Sequence, residues 1–195
     1  EVPLATDDPA VPDFDSLWDF DAPGASEAAF RAALPAVRER GDRDAMAQLL
    51  TQIARAEGLQ MRFDAALATL AEAEALIHDE LPVARVRLLL ERGRVFNSSQ
   101  RRDAAKPLFA AAWELALAAG ADASAVDAAH MLGIVEAGES AIEWNRRAIA
   151  HAKQSQEPRA RKWLGTLYTA LGWTHHDRGE FETALDLFRQ ALAAR

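Results

Sequence analysis

Residues 168–191 read YTALGWTHHDRGEFETALDLFRQA, and their spacing decides the fold. Tyr168, Leu171, Gly172 and His175 recur three and four apart, one face of a helix, until Arg178 to Glu180 interrupt the pattern. Phe181, Ala184, Phe188 and Ala191 then resume the same period. Gly172, Ala184 and Ala191 are small enough to let two antiparallel helices approach closely, while Leu171, Phe181 and Phe188 fill the space around the crossing. The stretch predicts a helical hairpin.

Weaker copies precede it. One carries Leu89, Gly93, Phe96, Ala105, Phe109 and Ala112; another carries Leu50, Ile53, Ala54, Phe63, Ala66, Leu70 and Ala73; a third carries Leu132, Gly133, Ala141, Ile142 and Ala148. The small residue of each first helix falls at Ala54, Gly93, Gly133 and Gly172, so the intervals are 39, 40 and 39 residues. Between the first-helix small residue and the first Ala of the second helix the step is twelve, except from Gly133 to Ala141, where it is eight. One helical turn is missing from that hairpin. Other breaks are expected near 58–62, 78–82, 97–102, 120–122, 137–139 and 155–158, with Ser26 as the N-cap of the first helix and Pro35 kinking or shortening it.

The pattern resembles the tetratricopeptide repeat, with an interval longer than that family's usual 34 residues. The resemblance covers roughly residues 42–195, with Ser26 to Arg40 as the second helix of a degenerate preceding repeat. It implies an all-α fold, an α-α superhelix or solenoid of antiparallel helix pairs with about nine helices, organised as an arm (1–24) and a repeat domain (25–195). Trp18-Asp19-Phe20-Asp21 followed by a helix is also similar to the start of a group of bacterial repeat proteins, a likeness that supplies no activity.

Composition agrees with an all-helical protein: half the 195 residues are hydrophobic, Tyr occurs once, and Ala is abundant. No apolar run is long enough to cross a bilayer, and no basic start leads into an apolar block. The absence of Cys excludes disulfides, thiolate zinc sites, iron–sulfur clusters and a cysteine nucleophile. Of the 30 acidic residues, seven (Glu1, Asp7, Asp8, Asp13, Asp15, Asp19, Asp21) lie in the first 21 positions with no Lys or Arg; the remaining 23 acids face 22 bases. The body is therefore near neutral, which argues against a nucleic-acid or membrane partner. The cytoplasm is the expected compartment, with the periplasm open.

The arm also contains Pro3, Pro9, Pro12 and Pro23, and Phe14, Leu17, Trp18 and Phe20 interrupt its acids. Asp13 to Asp21 is expected to dock on a surface, with residues 1–12 looser; a mask over a binding groove and a simple cap over the first helices are both open.

The family resemblance places ligands on the concave face lined by first helices. In register, that face takes Thr51, Gln52 and Arg55; Leu90, Glu91, Arg94 and Asn97; His130 and Ile134; and Thr169, Trp173, His176 and Asp177. Trp173 and the arginines are the expected anchors. The Lys and Asn of the chaperone-binding carboxylate clamp are missing from the corresponding positions. Arg85 to Lys106 carries seven bases against Glu91 and Asp103, a belt suited to an acidic peptide or to the arm itself, with salt bridges spread over several helix faces as the alternative. Leu185, Phe188 and Leu192 form an apolar face for a next helix pair, a second copy or a partner. Trp113, Trp144 and Trp163 are expected in the core.

No metal site is expected, because His175 and His176 are adjacent and diverge by about 100° on a helix. The phosphate-binding glycine loop, the metalloprotease His-Glu-x-x-His and the hydrolase Gly-x-Ser-x-Gly turn are absent. These observations lead to a non-catalytic, cofactor-free scaffold that binds an extended peptide or partner subunit, or else an oligomerisation or sensor module of a larger regulator.

Overall fold

The computed structural model describes residues 14–78 and 80–194, apart from the side chain of Asp15. Residues 1–12, Asp13, Asp79 and Arg195, with the expectations attached to them, lie outside the described residues. Every long element described is α-helical, and the chain divides into two compact units, 1–76 and 77–195.

In the first unit a 3-10 turn (Phe14–Leu17) leads to α1 (Pro23–Glu39), α2 (Arg43–Leu59) and α3 (Phe63–Leu76). Successive helices pack side by side, with Phe30, Val37, Leu49, Ile53 and Leu70 buried between them. Pro23 occupies the first turn of α1, where its missing N–H costs no hydrogen bond. The helix therefore begins ahead of Ser26, which is not its N-cap. Nor does Pro35 end it, since α1 continues to Glu39. At α2 the Asp42 side chain accepts the Ala45 N–H at 2.9 Å, a regular N-cap.

The second unit contains α4 (Pro82–Ser98), α5 (Arg102–Ala118), α6 (Asp122–Val135), α7 (Gly138–Gln154), the single-turn α8 (Pro158–Lys162), α9 (Leu164–Asp177) and α10 (Phe181–Ala193). Packing runs α4 with α5, α5 with α6, α6 with α7, α7 with α9 and α9 with α10. The hairpins close around glycines: a Cβ at Gly93 would lie 2.5 Å from the Phe109 ring, and one at Gly172 would lie 2.6 Å from Phe188. In the shortened hairpin the same place is taken by Asn145, whose Nδ2 would lie 2.4 Å from a Cβ at Gly133. Asn145 is buried and gives one N–H to the Ala141 carbonyl at 2.9 Å.

Candidate functional site

The docking of the arm is built from both polar and aromatic contacts. Ser26 is buried and its hydroxyl accepts the Asp19 N–H at 2.7 Å while donating to the Asp19 carbonyl at 2.9 Å. The Asp19 carboxylate accepts from the N–H groups of Asp21 (3.0 Å) and Ala22 (3.2 Å), turning the chain into α1. Trp18 stacks on Phe20 with ring centroids 4.7 Å apart and meets Phe30 edge-on at 5.0 Å.

Two of the residues expected to face a ligand receive this segment. Trp18 Nε1–H donates to Gln52 Oε1 at 2.9 Å, and the Arg55 guanidinium lies 5.5 Å from the Trp18 ring and 5.4 Å from the Phe20 ring. Phe20 remains 60% exposed. Thr51, expected on the same face, is buried and gives its hydroxyl proton to the Gln48 carbonyl at 2.6 Å; Gln52 is buried too, beneath the Trp18 contact, and Arg55 is half-buried.

Behind this face, carboxylates are enclosed by cations and amides. Buried Glu57 accepts from Thr69 Oγ1 at 2.7 Å and from Arg31 Nη2 at 2.8 Å. Glu27 accepts from Arg31 Nε and Gln60 Nε2, both at 2.8 Å, and from Arg62. Burial alone would raise the Glu27 pKa, but the hydrogen bonds from Arg31 and Gln60 and the neighbouring positive charges hold it below the usual carboxylate value. These contacts tie α1 to α2 and α3. A cleft of about 390 Å³ between the same three helices has an apolar floor of Leu34, Val37 and Leu50 under Arg31, Arg38 and Arg43. Sequence register does not show it, because the cleft depends on how far α1 and α3 stand apart.

In the second unit the basic belt is met by acids on α4, on α6 and just past its end. Arg94 Nη2 contacts both Asp127 oxygens at 2.5 Å, and its Nη1 reaches Glu91 Oε1 at 2.6 Å. Burial opposes the charge, yet the two carboxylates outweigh it and hold the guanidinium more firmly protonated than usual. The expectation of Arg94 as a free anchor is corrected by this pairing: its charge is satisfied inside the unit. Leu90 and Glu91 are buried as well, not groove-facing. Lys106 pairs with Glu136 at 2.6 Å, and Arg101 lies over the Phe96 ring at 4.3 Å.

Asn97 and His130 are half-buried, each with a buried side-chain atom, Asn97 Oδ1 and His130 Nδ1, that lacks a hydrogen-bond partner. The His130 ring packs 5.5 Å from Trp163, and burial lowers its pKa, opposed by Asp127 and Asn145 and reinforced by Arg94. Trp113 and Trp144 meet edge-on at 5.8 Å, both partly buried against the core.

The last hairpin brings together residues that register assigns to two different surfaces. Trp173 and His176, expected in the groove, contact the α10 side: Trp173 lies edge-on to Phe188 at 5.3 Å, and His176 edge-on to Phe181 at 5.4 Å. Trp173 and His176 also touch each other at 5.3 Å. Leu185 and Leu192 continue the exposed apolar surface along α10. The two neighbouring histidines diverge, His175 being buried with Nδ1 2.5 Å from Glu180 Oε2. Among the described residues no cluster of His, Asp and Glu is arranged to hold a metal ion.

No family model matches the chain. No curated protein matches it. Among solved structures, 22 chains match. One is the crystal structure of BtubC (BKLC) from P. vanneervenii, with a TM-score of 0.69 over 93% of this chain and 75% of that one at 18% identity. At that identity the likeness is one of fold, and with the packing of adjacent helices it defines an all-α, helical-repeat protein. Among the described residues no helix is long and apolar enough to cross a membrane.

Proposed function

We propose that the chain is a non-catalytic, tetratricopeptide-like scaffold that holds an extended partner segment on the exposed faces of its first helices. The observation that supports this reading most is the seat of the arm on α2, where Gln52 supplies an oxygen for an indole N–H and Arg55 covers two stacked rings. Those two positions come from the first-helix register, and the segment they hold is an acidic, aromatic stretch that follows the 3-10 turn and bends into α1. A partner carrying aromatic and acidic residues fits the same seat: rings for Arg55 and an N–H donor for Gln52. The near-neutral body offers no broad field for nucleic acid.

The test is a labelled peptide, DFDSLWDFD (residues 13–21), titrated against the chain carrying Trp18→Ala and Phe20→Ala, which weakens the arm's own hold. Saturable binding, lost when Gln52→Ala and Arg55→Ala are added, is expected. A folded variant that binds nothing overturns the reading and leaves the arm a structural cap.

A second reading, an oligomerisation or sensor module of a larger regulator, is favoured by the exposed apolar surface of α9 and α10.

A further inference from the structure

Helix α10 uses one face inside the hairpin and leaves another open. Ala184, Leu187 and Ala191 are buried, whereas Phe181 is 62%, Leu185 50% and Leu192 75% exposed; Phe188, between them in sequence, is half-buried and also packs against Gly172 inside the hairpin. Phe181, Leu185, Phe188 and Leu192 are spaced four, three and four, the interval of a coiled-coil seam. Trp173, itself 54% exposed, and His176 widen the stripe through their ring contacts with Phe188 and Phe181. Together these side chains leave on the order of 400 Å² of apolar surface in one place, the size of the largest patch on a typical soluble monomer, which is often functional.

The order of residues says what fits there. When the helix is turned end for end and laid on itself, Phe181 meets Leu192 of a second copy, and Leu185 meets Phe188. The same two layers recur in reverse, so the four large side chains of each copy face those of the other, Phe188 with the part of its ring that the hairpin leaves open. The charges beside the seam obey the same symmetry: Glu182 of one copy comes beside Arg189 of the other, twice. Within one helix these two are seven residues, about 10 Å, apart and do not pair with each other. Among the described residues Arg189 meets the exposed carboxylate of Asp186 at 3.2 Å, a contact weak enough to exchange.

We propose that two copies of this chain associate through antiparallel α10 helices, with the Phe181–Leu185–Phe188–Leu192 stripe as the seam and reciprocal Glu182–Arg189 pairs as its register. This deepens the oligomerisation reading by naming a second copy as the occupant, and it is independent of peptide binding on α2, which the peptide titration tests separately.

Sedimentation or light scattering over a concentration series on the whole chain is expected to show a monomer–dimer equilibrium. Leu185→Glu, at a half-exposed position, is expected to give monomers with unchanged helical circular dichroism. Glu182→Lys and Arg189→Glu are each expected to weaken the dimer, about tenfold or more, and the double variant to restore it. A chain that is monomeric at every concentration overturns the proposal and gives the stripe to a different partner or to a further segment. A dimer that survives Leu185→Glu, or a charge-swapped pair that fails to recover, overturns this seam and register.

Discussion

Trp18 and Trp173 are both incompletely buried tryptophans that touch a phenylalanine, yet they sit in different surroundings. Trp18 is hooked by a hydrogen bond to Gln52, stacked on Phe20, overlaid by Arg55 and set against the fully buried Phe30. Trp173 makes ring-edge contacts with His176 and Phe188 and keeps more than half its surface in water. The first is an aromatic surface already occupied by the chain's own segment. The second is an aromatic surface left more than half exposed.

Mutation should separate them. Trp18→Ala is expected to cost about 2 kcal/mol, since it removes a packed ring from Phe30 and leaves Gln52 Oε1 without its donor. Trp173→Ala, measured at low chain concentration, is expected to cost under about 1 kcal/mol. Urea titrations followed by helical circular dichroism check both. Equal losses would break the distinction between an occupied and an unoccupied face.

The helices and most of their turns were legible because the three-and-four spacing and the small residues record pair packing directly, and Gly93–Phe109 and Gly172–Phe188 are the contacts that spacing implies. What lay outside that code was any contact between residues of distant register. Arg94 reads as an exposed cation on its own helix; its partner Asp127 sits 33 residues away on α6, and no local pattern couples them. Ser26 reads as an N-cap because it precedes an apolar run. Pro23 is the signal that moves the helix start earlier and frees the Ser26 hydroxyl to hold Asp19. Trp173 and His176 were assigned to a groove by register, but the open side of α10 draws both toward Phe188 and Phe181.

Acid should also distinguish the two units. In the second, His130 has its pKa lowered chiefly by burial from the usual 6.5, so the unfolded chain takes up the proton first. That stability is complete above about pH 6.5 and is lost as the pH falls toward the lowered value. In the first, Glu27 is held below 4.5 by Arg31, Gln60 and Arg62 against the cost of burial, so its contribution persists until the pH drops under about 4.5. Hydrogen exchange read unit by unit along an acid series should therefore show the second unit loosening first, with His130→Phe removing its early loss. Simultaneous loosening near pH 4.5 would mean that His130 does not govern the second unit.

Effects smaller than that at Trp18 are expected at the turns. Arg62 N–H to the Glu57 carbonyl and Glu180 N–H to the His175 carbonyl, each 3.0 Å, close the same type of helix end in α2–α3 and α9–α10. The left-handed residue is Gly179 (φ 76°) in the last hairpin but Met61 (φ 61°) in the first. A side chain in that region costs about 1 kcal/mol or more, and glycine gives back part of the gain through the extra freedom of its unfolded chain. Met61→Gly is therefore expected to raise stability by about 0.5 kcal/mol, and Gly179→Ala to lower it by about 1 kcal/mol. Urea midpoints at unchanged slope check both. A loss on Met61→Gly would show that the exposed Met61 side chain contributes more to its hairpin than the strained backbone costs.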